Sequence, residues 1–246
     1  MAERSLSGDV AVVTGASAGI GAATARELAS RGADVVLAAR SEKRLEALAD
    51  ELEHEHGTIA LVVPTDIRQR DQVEALIETT VEELGGLDTL VNNAGLVRGA
   101  DVETMTDDEY RTMMETNVDG VFYATRAALS HLRAASGHLV FVGSFAGQYP
   151  RPFNPVYAAS KWGVRGFALS VAASVGDDDV AVTIVNPSEV RTEFGSEYGE
   201  PFAERFDPGE VTEPEEVAEA IAFAVTREGS TVSELDLYRR DKLTFF

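Results

Sequence analysis

The 246-residue chain contains no cysteine. It therefore has no disulfide framework, no thiolate nucleophile and no thiolate metal site. Lysine is nearly absent as well. Of 21 basic residues only Lys43, Lys161 and Lys242 are lysines. No apolar run approaches the roughly 18 residues of a membrane span. The opening Met1-Ala2-Glu3-Arg4-Ser5-Leu6 lacks the apolar core of a secretory signal. Asn186-Pro187-Ser188 is blocked as a glycosylation site by its proline. Together these absences predict a cytoplasmic protein.

Basic clusters are missing too. Asp and Glu number 42 and the net charge is −21, with the acids spread along the chain. Nucleic-acid binding needs a basic footprint, so that class is excluded, as is an anionic membrane surface. Strong acidity can signal disorder, but the regular apolar segments below argue against it. Scattered acid with so little lysine is similar to proteins of high-salt cytoplasm, where salt screens the self-repulsion of the fold.

Short apolar runs alternate with amphipathic segments. Strands are expected at Val10–Thr14, Asp34–Ala39, Ile59–Val63, Thr89–Asn92, His138–Gly143, Val180–Val185 and Val232–Tyr238. Helices are expected at Ile20–Arg31, Glu42–His56, Gln69–Leu84, Asp107–Ala135, Val156–Val175 and Pro214–Thr226. Strict alternation with near-continuous apolar strands predicts an α/β fold. A doubly wound, seven-stranded parallel sheet would be covered by helices on both faces. Length and the lack of a composition break predict a single domain over residues 1–246. The stretch Thr192–Gly209 fits neither period and falls after the sixth strand, where a substrate lid is expected.

Two motifs carry chemistry. Thr14-Gly15-Ala16-Ser17-Ala18-Gly19-Ile20-Gly21 joins the first strand to the first helix. Glycines permit close approach of backbone to a pyrophosphate, and the helix N-terminus offers free N–H groups. Tyr157 and Lys161 lie four residues apart on an expected helix, hence on one face. A cation beside a phenol favours the phenolate and suits it to proton transfer. Alone, that spacing fits an ordinary helix face. Ser144 lies thirteen residues before Tyr157.

Taken together, the glycine turn, Asn92-Asn93-Ala94-Gly95, Asn117, Ser144, Tyr157 and Lys161 resemble the classical short-chain dehydrogenase/reductase family (SDR). Order and spacing agree over essentially the whole chain. The resemblance implies a Rossmann fold and hydride transfer between a nicotinamide cofactor and a carbonyl or secondary alcohol. It implies that Tyr157 is the general acid or base. Lys161 would bind the nicotinamide ribose and lower the pKa of Tyr157. Ser144 would hydrogen-bond the substrate oxygen, and Asn117 would hold a water beside Lys161 in a proton relay. Gly15, Ser17, Ala18, Gly19, Ile20 and Gly21 would cradle the pyrophosphate. Asn93, Ala94 and Gly95 would flank the cofactor and brace the sheet. Asp66 and Ile67 would contact the adenine, although a loop aspartate capping the next helix reads equally well. Pro187, Val190 and Thr192 would lie near the nicotinamide. The apolar faces of Asp107–Ala135 and of the Tyr157 helix would form a four-helix dimer contact, and commonly a homotetramer.

Cofactor choice rests on the end of the second strand. A carboxylate there would pair with the free ribose hydroxyls of NAD. Ala39 stands at that position and Arg40 follows. Arginine suits a 2′-phosphate, and Arg44 lies one helical turn on. NADP (NADPH) is the preferred cofactor, with NAD possible, because Ala18 supplies no basic residue in the glycine turn.

Two departures from the family pattern stand out. Gly143 replaces the usual serine before Ser144, and this reads as harmless because Ser144 remains. Pro187-Ser188 replaces Pro-Gly, which would place serine in a backbone region favouring glycine. The stretch from Val142 to Phe167, Thr192-Glu193-Phe194 and the tail Ser233–Phe246 are similar to a branch acting on 3-hydroxy acids such as serine. Arg151, Arg191 and Arg98 are the candidate cations for such a carboxylate. Broad ketone or aldehyde reduction, sugar oxidation and 3-oxoacyl reduction are the alternatives. A non-catalytic dinucleotide-binding redox sensor is the rival of another class, but such proteins typically lose the tyrosine or the lysine. No metal set is expected. His54 and His56 do not face each other on a helix, and the four histidines read as surface residues.

Overall fold

The computed structural model describes residues 4–99, 101–195 and 200–245. Seven strands pair in parallel: β1 (Val10–Thr14), β2 (Asp34–Ala39), β3 (Ala60–Pro64), β4 (Thr89–Asn92), β5 (His138–Val142), β6 (Ala181–Pro187) and β7 (Glu234–Leu237). Their order is β3-β2-β1-β4-β5-β6-β7. Side chains alternate across each strand. Val10 and Val12 of β1, Val36 and Ala38 of β2, and Leu139 and Phe141 of β5 enter one apolar layer. Ala11 and Val13, Val35 and Leu37, and Val140 and Val142 enter the opposite one. Both faces of the sheet are thus buried, which is why the strands read as unbroken apolar runs.

Helices α1 (Gly19–Ser30), α2 (Glu42–His56) and α8 (Pro214–Val225) supply residues such as Leu28, Leu45 and Ile221 to the second layer. Helices α3 (Arg70–Leu84), α5 (Gly120–Ala135) and α6 (Pro155–Val175) supply Leu76, Ala124 and Val164 to the first. The two short helices are α4 (Asp107–Met114) and α7 (Phe202–Arg205). The chain order reverses between β1 and β4, and the carboxyl ends of these strands open the crevice typical of such sheets.

The segment Asp107–Ala135, expected as one helix, is interrupted. A π turn at Glu115–Asp119 separates α4 from α5. Asn117 lies in that turn and is buried. Its amide donates to the Leu96 carbonyl and the Ser160 hydroxyl, and its Oδ1 accepts from the Leu96 N–H. The loop after β4 is thereby tied to the helix layer. Directly after the turn, Gly120 presses on Ile67, where a β-carbon would come within 2.7 Å of Cγ1.

The last strand is shorter than expected. Ser188 is not in the left-handed region that its replacement of glycine suggested, since only Ser136 and Asp179 among the described non-glycine residues have positive φ. Its N–H instead donates to the Leu237 carbonyl, and its hydroxyl accepts from the Arg239 N–H. Within the expected lid Thr192–Gly209, α7 forms and its Ala203 N–H donates to the Thr192 carbonyl. Residues 196–199 of that stretch lie outside the described residues.

Candidate active site

The groove at the carboxyl ends of β1, β2, β4, β5 and β6 encloses about 660 Å³. Its floor is the glycine turn. Gly15 and Gly19 have φ of 69° and 53°. A β-carbon on Gly15 would stand 2.9 Å from the Ala94 Cα, and one on Gly21 would stand 2.3 Å from the Gly15 carbonyl oxygen. Backbone therefore forms this surface because side chains do not fit. Ser17, Ala18 and Ile20 complete the lining, while Gly21 lies just beneath. Ala18 stands at the N-cap of α1 without a side-chain cap bond, so the first N–H groups of that helix face the groove unclaimed by any capping side chain.

Thr14 and Asn93 hold the turn to the next strand. The Thr14 hydroxyl accepts from the N–H groups of Asn93 and Ala94 at 3.0 and 3.1 Å. The Asn93 amide donates to the Thr14 carbonyl at 2.8 Å and the Gly15 carbonyl at 3.3 Å. Ala94 and Gly95 line the groove beyond them. Thr192 covers the helix N-terminus, with its Cγ2 only 3.0 Å from where a Gly19 β-carbon would be. Pro187 and Val190 line the same side.

At the far end of the groove, Arg40 is exposed and forms no ion pair among the described residues. Arg44 does pair, at 2.9 Å with Glu193 of the expected lid. Asp66 and Ile67 line the opposite wall. Arg68, which sequence reasoning did not single out, forks onto the Asp66 carboxylate at 2.6–3.1 Å. That bond, then Arg40 more weakly, holds the Asp66 carboxyl below its usual range despite burial. The helix-capping alternative for Asp66 does not hold, since α3 begins after Gln69.

At the other end, Ser144, Tyr157 and Lys161 converge, all buried. Tyr157 sits in the first turn of α6, whose N-cap Asn154 accepts from the Tyr157 N–H at 3.0 Å. The Asn154 amide donates to the carbonyls of Arg98 and Gly99. Asn154 thus fixes Tyr157 against the loop after β4. The pair Asn154-Pro155 was the available signal, since asparagine caps and proline favours the first helical position. One turn on, the Lys161 ammonium donates to the Val142 carbonyl at 2.9 Å. Burial pushes Lys161 down to about 8. Ser144 follows β5, and its oxygen accepts from the Ala146 N–H at 3.1 Å.

The electrostatics at Tyr157 differ from the expectation that Lys161 lowers its pKa. Burial raises the phenol above its ordinary value, opposed by the Arg151 guanidinium and the Ser144 hydroxyl. The Arg151 Cζ lies 4.8 Å from the Tyr157 ring centroid, against 6.0 Å for the Lys161 ammonium. The lysine is turned toward the Val142 carbonyl, so the arginine is the nearer cation. Apolar walls of Met113, Ala146 and Ala158, with Phe194 at 6.0 Å between ring centroids, keep the phenol dry.

Of the candidate carboxylate cations, Arg191 is held by Glu213 at 2.8–2.9 Å, and Arg98 donates to the Val97 carbonyl. Arg151 alone of the three lines the groove. The histidines need one correction. His54 and His56 are exposed, but His131 and His138 are both partly buried, and burial then Arg4 push His138, which opens β5, down to about 4. No cluster of three or more potential metal ligands occurs among the described residues, and no described helix is long and apolar enough to cross a membrane.

Comparison with known proteins agrees with this architecture. Residues 9–201 match the family described as short chain dehydrogenase. The chain is 32% identical over 223 residues to an uncharacterized oxidoreductase of Staphylococcus aureus, covering 90% of this chain and 93% of that protein. It is 33% identical over 233 residues to the trans-4-hydroxycyclohexanecarboxylate dehydrogenase of Sinomonas cyclohexanicum, covering 93% and 90%. Among solved structures, an alcohol dehydrogenase from the archaeon Thermococcus sibiricus, complexed with 5-hydroxy-NADP, superposes with a TM-score of 0.87 at 32% identity. That match covers 94% of this chain and 97% of that one. With a parallel sheet of this order, a glycine cradle at its switch point and a family match over most of its length, the chain belongs to the short-chain dehydrogenase family of oxidoreductases.

Proposed function

We propose that the protein is an NADP-preferring oxidoreductase that interconverts a carbonyl and a secondary alcohol, with Tyr157 as general acid and base. The observation that carries this reading is the convergence of buried Tyr157, Ser144 and Lys161 at one end of a groove floored by glycine backbone. The groove fits a dinucleotide: a cradle that no β-carbon could share, free helix N–H groups, and an unpaired arginine at the distal end. When bound, the cofactor supplies or accepts the hydride.

The chain's own residues manage the proton. Ser144 donates to the substrate oxygen and orients it toward the phenol. Tyr157 gives its proton to that oxygen in reduction and takes it back in oxidation. Burial keeps the phenol protonated in the free protein, which suits it to the acid role. Lys161 binds the ribose and, with Asn117 holding a water beside it, returns a proton from solvent. Ser17, Ala18 and Ile20, with Gly15 and Gly19, hold the pyrophosphate. Asn93, Ala94, Gly95, Pro187, Val190 and Thr192 flank the nicotinamide half, and Asp66 and Ile67 the adenine. Arg40 takes the 2′-phosphate. Residues 192–209 act as the substrate lid.

The substrate is a small hydroxy or oxo acid, with a 3-hydroxy acid as the leading candidate. One relative is named for a hydroxycyclohexanecarboxylate, and Arg151 stands beside Tyr157. The charge of −21 with three lysines supports a salt-rich cytoplasm. Phe122 on α5, with Trp162 and Leu169 on α6, is exposed, which supports burial of these faces in a homodimer or homotetramer. The test is oxidation of NADPH and NADH in molar KCl with ketones, aldehydes, 3-oxo acids and sugars, and the reverse reactions. Turnover with NADPH preferred supports the reading. Dinucleotide binding without turnover on any substrate contradicts it.

A further inference from the structure

Arg151 is a partly buried arginine with a buried donor left unmet, whereas Arg40, likewise without an ion pair among the described residues, is exposed. The guanidiniums of Arg26, Arg68, Arg165 and Arg191 all pair with carboxylates. Arg151 pairs with none among the described residues, although acids outnumber bases two to one. Its Nε is buried and has no hydrogen-bond partner. A buried donor left unmade costs stability unless something else satisfies it.

Its posture is also defined. The guanidinium lies over the ring of Phe153 and over that of Tyr157, each at 4.8 Å from the centroid. These contacts are made with the rings, and no carboxylate among the described residues claims the N–H groups, which suit a planar, bidentate acceptor. Arg151 lines both the cofactor groove and a neighbouring open cleft of about 670 Å³, and Phe194 and Phe202 are likewise shared. It therefore stands between that cleft and Tyr157. Of the cleft's carboxylates, Glu109 caps α4 through Thr106 and Glu200 is exposed.

Building on the oxidoreductase reading, we propose that Arg151 is the specificity-determining residue for an anionic substrate. It binds a carboxylate separated by a short carbon chain from the carbonyl or hydroxyl that meets Tyr157 and Ser144. The apolar surfaces of Phe153, Phe194 and Phe202 take the carbon skeleton between the two polar ends.

The test pairs a binding measurement with turnover. Protein saturated with NADP+ is titrated calorimetrically with butyrate and cyclohexanecarboxylate, which lack the reacting group, and with their amides. The salt is the lowest that keeps the fold. The expected result is binding of the acids in preference to the amides. Arg151→Gln weakens acid binding by about 10- to 100-fold, and Arg151→Lys recovers part of it. In turnover, the preference in kcat/KM for a 3-oxo acid over its amide falls in Arg151→Gln by a similar factor. A role confined to tuning Tyr157 would lower both substrates equally and leave the ratio unchanged. An unchanged ratio, equal acid affinity in Arg151→Gln, or no acid binding by the parent protein overturns the proposal. Acid binding that depends on Arg151 without turnover of any compound upholds the anion site and contradicts the oxidoreductase reading instead.

Discussion

The side-chain oxygen of Asn186 occupies the space where a β-carbon on Gly143 would stand, 2.2 Å from that position. Glycine at 143 is thus matched to its neighbour on β6, a steric reason that the sequence did not show. Asn186, fully buried on β6, claims the volume and donates to Glu234 and Asp236 of β7. Gly143→Ser is expected to destabilise the protein by about 1–3 kcal/mol through overpacking. In combination with Asn186→Gly the two effects should be markedly non-additive. Thermal unfolding of the single and double variants reads this directly.

Arg40 is the unpaired cation at the end of β2. Arg40→Ala is expected to lower kcat/KM for NADPH by about 10- to 50-fold with little change for NADH, because only NADPH carries the 2′-phosphate that Arg40 would hold. Equal losses with both cofactors would place the 2′-phosphate elsewhere.

Arg44 and Glu193 form an exposed pair between α2 and the proposed lid. A 2′-phosphate near Arg40 would meet the Glu193 carboxylate as a like charge. Glu193→Gln should therefore tighten NADPH binding by about two- to fivefold at low salt, and the gain should vanish in molar salt. Fluorescence titration of NADPH at two ionic strengths checks both parts.

Burial holds His138 at about 4 in the fold, against 6.5 when free. Between these values the unfolded chain binds the extra proton, so stability falls as pH drops from 6.5 toward 4. The fall attributable to this residue is up to about 3 kcal/mol. His138→Gln should flatten the stability profile over that window, measured by denaturant unfolding at stepped pH.

The sheet was legible in the sequence because a parallel strand buried on both faces is an uninterrupted apolar run. All seven strands lie where they were expected, although β7, Glu-Leu-Asp-Leu, alternates and is only partly buried. Val182 and Ile184, for example, sit in one layer and Val185 in the other. The π turn around Asn117 was less legible, since the hydrophobic period of Asp107–Ala135 continues through it. Asparagine, a poor helix former, hints at a distortion there, but the bonds that tie Asn117 to Leu96 are encoded by no local pattern. The groove residues of the glycine turn were readable from spacing alone. The partners of Asp66, the space beside Gly143 and the cation nearest Tyr157 were not. Each depends on which side chain from a distant segment reaches the same point first. Asn154 lay in between: its Asn-Pro pair marks a helix start, but its grip on Arg98 and Gly99 appears only in three dimensions.

The measurement that bears most directly on the account is Tyr157→Phe. The ring, its apolar walls and the Arg151 stacking are retained, and only the hydroxyl is removed. Steady-state turnover on the best substrate is predicted to fall by about 10²- to 10⁴-fold, while the dinucleotide dissociation constant stays within about threefold of the parent. Turnover that survives the substitution would mean that Tyr157 does not carry the proton, and the proposed chemistry would be wrong.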